Sequence, residues 1–261
     1  MRILHWYTAL MSFVFCRSGA SARAVWLQRG TFSGTKRRIA VAAMAAVLAG
    51  CTGAAPLLLA ALPDGTLSVL LGKLQSESDG NRRRVAELEQ AADWAGLAQF
   101  AEQNIAKEHN NASWWMVAGY AYSRQLLHVR AIESFQEMVR LEPQAPEGWN
   151  LLAQEYRAAG DPRQAISVLT RALTAVRDAP VTHMLLGESY NDVGRFDLAE
   201  RAYRQALDLD AGLTPAWVGL ARSQIKLGRP AEAERIARAL ERSDPQLAAT
   251  LRQEVAGAPR R

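Results

Sequence analysis

One spacing constrains this chain more than any other feature: large side chains recur every 34 residues at Trp115, Trp149, His183 and Trp217. The surrounding pattern travels with them, as "WMVAGYAY", "WNLLAQEY", "HMLLGESY" and "WVGLARSQ". Four residues on stands a small side chain, Gly119, Ala153, Gly187 or Ala221. Three further stands Tyr122, Tyr156, Tyr190 or Gln224. The second half of each unit holds the same phase, with Ala131, Ala165, Ala199 and Ala233 each followed four residues later by Phe135, Leu169, Tyr203 or Ala237. A period this long means a supersecondary unit repeated along the chain. Each unit carries two apolar faces at helical spacing, broken by Gly160-Asp161-Pro162, Gly194-Arg195 or Gly228-Arg229-Pro230, and so predicts two antiparallel helices. Pro143 and Pro245 read as stops for the second helix of their units, with Arg177 and Ala211 in that column between them.

These columns resemble the tetratricopeptide repeat (TPR), with its W-x2-L-G-x2-Y, A-x3-F and P pattern. The resemblance covers residues 112 to 245 and implies an all-α solenoid in which helix pairs stack into a right-handed superhelix. The repeats fall at 112–145, 146–179, 180–213 and 214–247. Residues 78–111 keep helical periodicity through Val85, Leu88, Leu97, Phe100 and Ile105 and read as a degenerate first repeat or cap; 248–261 hold a capping helix and tail.

The N-terminal third reads differently. The net charge of +5 suggests nucleic acid until its location is counted. Seven of the 31 basic residues lie in residues 1 to 50, which hold no Asp or Glu; the remaining 24 face 26 acidic residues, a net of −2. No nucleic-acid partner is expected. "KRRIAVAAMAAVLAGC", Lys36 to Cys51, sets three cations before an uncharged run, the arrangement of an export signal. Its end, "LAGC", resembles the lipobox of bacterial lipoproteins, which implies cleavage after Gly50 and lipidation of Cys51. Residues 36–50 are then the signal and 51–77 a lipid-anchored linker. The alternative is an uncleaved span, since Ile39 to Leu62 is 24 residues without a charge. Both readings expect a membrane attachment and an array on the periplasmic side of a bacterial envelope, the outer membrane being favoured because Thr52 is not an aspartate. Residues 1–35 form an extension too long for a signal, which a start near Val25 or Leu27 would remove. Only Cys16 and Cys51 exist, so no disulfide is expected in the mature chain.

No residues of catalytic type converge. His5, His109, His128 and His183 are scattered, no phosphate loop or nucleophile elbow occurs, and no metal, cofactor, small-molecule substrate or enzymatic activity is expected. What the TPR resemblance implies is a concave groove lined by the first helix of each unit. The candidate groove residues are Met116, Tyr120, Arg124, Asn150, Gln154, Arg157, Met184, Glu188, Asn191, Arg222 and Lys226. Amides, arginines and flexible methionines suit an extended or helical peptide of another envelope protein. The carboxylate clamp of chaperone-binding TPRs is not implied, because Val181 and Leu185 stand where it needs basic residues. In layout the chain is similar to the TPR lipoproteins of pilus and secretion assembly, so the expected function is an envelope scaffold. The alternative is an inner-membrane adaptor that recruits an enzyme of cell-wall or polysaccharide synthesis.

Overall fold

The computed structural model describes residues 78–257. The extension 1–35, the signal 36–50, Cys51 and the linker 51–77 lie outside the described residues. Eleven helices and no strand occur among the described residues: α1 Asp79–Gln90, α2 Trp94–Ile105, α3 Ala112–Arg124, α4 His128–Leu141, α5 Pro146–Ala158, α6 Pro162–Ala175, α7 Pro180–Asp192, α8 Phe196–Leu209, α9 Thr214–Lys226, α10 Pro230–Leu240 and α11 Pro245–Ala256. Each helix packs on the next, which makes the all-α TPR solenoid.

Local chemistry sets the helix starts. Asp93, Asn111, Asp161 and Asp244 each accept a hydrogen bond from a backbone N–H in the first turn that follows. Proline opens α5, α6, α7, α10 and α11, where its missing N–H costs nothing. The reading of Pro245 as a helix stop is corrected by this rule: α10 ends at Leu240, and Pro245 begins α11 behind the Asp244 cap. The turn inside each pair contains one left-handed residue, and these too fall 34 apart, at Ala92, Leu126, Gly160, Gly194 and Gly228. Glycine takes that conformation freely; Leu126, at φ 61°, does so at a cost.

Packing inside each pair follows a size rule. Where the second helix supplies Phe135 or Tyr203, the facing position is Gly119 or Gly187; where it supplies Leu169 or Ala237, the position is Ala153 or Ala221. A methyl added at Gly187 would lie 2.8 Å from Tyr203 Cε1, inside van der Waals contact. All eight side chains or backbones are buried, so the pairs fix how closely the helices approach.

A second device binds each repeat to the one before. The indole N–H of Trp115, Trp149 and Trp217 donates to the backbone carbonyl six residues earlier, on His109, Pro143 and Ala211, at 3.0, 2.9 and 2.9 Å. His183 takes the fourth position in this column, and its Nδ1 is buried without a partner among the described residues. Burial also lowers the His183 pKa, so its protonation opposes folding. A group depressed in the folded state contributes stability above its ordinary pKa, and that contribution is lost as pH falls. His183→Trp is expected to raise the melting temperature, by a margin that widens between pH 7.5 and pH 5; thermal unfolding of both proteins across that range checks it.

Candidate functional site: the inner face of the array

Consecutive first helices α5, α7, α9 and α11 pack directly on one another, whereas the second helices are spread further apart. The array therefore curls with the first helices inside, and the candidate groove residues project from them. Three of these residues are not available there. Met116, Tyr120 and Met184 are only 5, 8 and 7 % exposed, which corrects the expectation of an open surface with flexible methionines. Trp94 of α2 is part of the reason: its ring meets Tyr120 edge-on at 5.8 Å, and Arg124 lies over the same ring, 4.5 Å from its centroid.

Five of the remaining positions, Asn150, Arg157, Glu188, Asn191 and Arg222, are linked from repeat to repeat. The Thr182 hydroxyl donates to Asn150 Oδ1 at 2.8 Å. Arg157 donates through Nε to Asp192 Oδ2 at 2.6 Å and through its terminal nitrogen to Glu188. Asn191 donates to the Tyr203 hydroxyl at 3.1 Å, and its carbonyl oxygen lies 3.0 Å from Ser223 Oγ. Arg222 grips Glu254 of α11 with three hydrogen bonds of 2.8, 3.0 and 3.3 Å. The sequence separations, 31 to 35 residues, are those of a side chain and its counterpart one repeat on. A lattice of polar contacts thus spans four successive inner helices.

Electrostatics along the lattice are uneven. Burial works against the charge of Arg157, but its hydrogen bonds to Asp192 and Glu188 more than restore it. For Glu188 burial dominates and raises the pKa despite the attraction of Arg157. Burial likewise raises the Tyr203 phenol, with the nearby Glu188 adding to it, so this hydroxyl stays protonated. Outside the lattice stand Gln154, half-buried, and Lys226, exposed. Arg222 is itself exposed, and Asn150 is half-buried.

Sequence reading passed over two further features. Glu155 of α5 is wholly buried, with one carboxylate oxygen 2.6 Å from His128 Nδ1 and the other without a partner among the described residues. Its column otherwise holds Ala121, Ser189 and Ser223, so a charged residue among small ones was the available signal. The second feature lies on the opposite, outer side, where two clefts of about 380 and 440 Å³ repeat at the 34-residue interval. One contains Glu102, Trp115, Tyr122 and Arg130; the other contains Gln136, Trp149, Tyr156 and Arg171. Tyr122 donates to Glu102 within the first. Among the described residues no cluster of His, Cys, Asp and Glu could hold a metal ion, and no helix is long and apolar enough to cross a membrane.

Comparisons with known proteins agree with this architecture. Residues 150–214 and 190–255 match family models described as Tetratricopeptide repeat. Protein bimA of Emericella nidulans is 25 % identical over 114 residues, 44 % of this chain and only 14 % of that much longer protein. Among solved structures, PilW, described as a widely conserved type IV pilus biogenesis factor, is 18 % identical with a TM-score of 0.59, covering 70 % of this chain and 87 % of its own. MamA is 20 % identical with a TM-score of 0.53, covering 66 % and 96 %. At these identities the structures share the fold. Residues 150–255 thus match tetratricopeptide repeats, and the described residues share the fold of the TPR solenoids.

Proposed function

We propose that this chain is an envelope scaffold: a TPR array, held to a bacterial membrane by its N-terminal region, that grips an extended segment of another envelope protein and helps assemble a complex of pilus or secretion type. The observation that carries the reading is the ordered inner face. Ladder contacts hold Asn150, Arg157, Glu188, Asn191 and Arg222 in place before any partner arrives, so little side-chain ordering remains for binding to supply. Gln154, Lys226 and the Asn150 amide then offer hydrogen bonds to a peptide backbone. Lipidation of Cys51 would fasten the chain, because roughly 0.8 kcal/mol per buried CH₂ makes several acyl chains a firm anchor. The likeness to a pilus biogenesis factor supports the choice of machine only through shared fold.

A photoreactive side chain at Gln154 or Lys226 is expected to capture one envelope protein, while the same probe at Arg171 or Arg204 on the outer side captures none. Capture only from the outer positions would overturn the groove reading. Attachment is tested separately by growth on an alkyne fatty acid, which labels the natural chain but not Cys51→Ala; equal labelling removes the lipoprotein reading. Capture of a cell-wall or polysaccharide synthesis enzyme, with the chain in the inner membrane, would favour the adaptor instead.

A further inference from the structure

The turn between α3 and α4 is unlike its four counterparts. The later turns read Gly160-Asp161-Pro162, Gly194-Arg195-Phe196 and Gly228-Arg229-Pro230, whereas this one reads Leu126-Leu127-His128-Val129. Its three apolar side chains are 74, 43 and 70 % exposed, and Leu126 and Val129 are the two most exposed large apolar residues among those described. Leu126 also holds the left-handed backbone that Gly160, Gly194 and Gly228 provide in the same column. A strained leucine turned out into water lowers stability twice, through its backbone and through its exposure. The gain has to come from something the tip touches.

Charge and size identify the occupant. No Asp or Glu occurs between Glu108 and Glu133, while Arg124 and Arg130 flank the tip. Each guanidinium rests on an aromatic ring, Arg124 on Trp94 and Arg130 on Tyr122. Of the acids nearby, Asp93 and Asp161 cap helices, Glu155 meets His128 inside the array and Glu102 accepts from Tyr122, while Glu133 stands one helical turn beyond Val129, in the cleft it shares with Arg130. Three side chains are far fewer than the roughly 20 to 30 residues per side of a stable protein interface, which argues against a second copy or a rigid partner. A protruding apolar tip ringed by cations matches a phospholipid surface instead, with leucines among the acyl chains and arginines at the phosphates.

We infer that the α3–α4 turn dips into an anionic phospholipid bilayer, a contact that rests on the membrane attachment proposed above. Such a contact is weak alone, but Cys51, the proposed anchor, stands only 27 residues before Ser78. At about 3.5 Å per residue the array then stays within roughly 95 Å of the membrane, which makes a weak second contact effective.

The test uses the full chain in a bacterial host, with a benzophenone side chain at Leu127 or Val129 and, as control, at Asp161. After irradiation, phospholipid adducts are expected from 127 and 129 at about ten times the yield from 161, enriched in acidic lipids. Leu126→Gly is expected to lower the yield from 129 severalfold and to raise the melting temperature, a pair of opposite effects that a packing role could not produce. A protein adduct from 127, equal lipid capture from 161, or no adduct from a chain that sediments with membranes overturns the inference. A chain that does not sediment with membranes overturns it too, and is recognised separately because the attachment itself has failed.

Discussion

Gly219→Ala is expected to destabilise the array by about 3 kcal/mol, lowering its melting temperature by roughly 10 °C. Tyr203 of α8 is the cause. Its ring is 1 % exposed and wedged between Gly187 of its own repeat and Gly219 of the next. A Cβ on Gly219 would stand 2.5 Å from Cε1 and 2.7 Å from the hydroxyl oxygen. The ring has nowhere to go, because Asn191 holds its hydroxyl and Gly187 closes its other side. Tyr203→Leu in the Gly219→Ala background should recover much of the loss, since one repeat earlier the same columns hold Leu169 and Leu185, both buried. Denaturant unfolding of the two single variants and the double variant measures the coupling; additive losses would mean that the clash is relieved some other way.

The second large effect concerns Arg157. Its side chain and that of Glu188 are each 14 % exposed, while Asp192 is 40 % exposed. Arg157→Met removes the only cation that either acid contacts among the described residues, and is expected to cost about 3 to 5 kcal/mol at neutral pH. Glu188→Gln is expected to cost far less, because burial already raises the Glu188 pKa and its ionisation works against folding. The sign follows: a carboxyl raised in the folded state contributes stability below its ordinary pKa, and loses it as pH rises through the folded value. Stability of Glu188→Gln relative to the natural chain should therefore improve from pH 4 to pH 8. Unfolding midpoints across that range check this, and equal losses for both variants would refute the assignment.

The repeat itself was legible because a helix pair must bury one face on its neighbour, and that need writes a 34-residue period into Trp115, Gly119, Tyr122 and their counterparts. Inner-face positions could be placed by the same counting. Their engagement could not, because periodicity reports which way a residue points and not whether a neighbour has claimed it. Asn150 with Thr182, Asn191 with Ser223, and Arg222 with Glu254 are each 32 apart, a complementarity that searching for identical residues at 34 passes over. Burial of Tyr120 was hidden for a different reason: Trp94 stands outside the repeating tryptophan column, so no phase relation announced it. Leu126 was visible as a letter, but only the backbone angle shows that it replaces a glycine at a cost.

The junction between α6 and α7 lacks one fastening that the other repeat junctions have. Asn150 with Thr182 and Arg157 with Glu188 and Asp192 clasp its inner edge, while at the loop edge His183 supplies no indole latch. At the next joint Asn191 with Ser223 shares that task with the Trp217 indole, so halfway along the array the polar clasp works without a second tie.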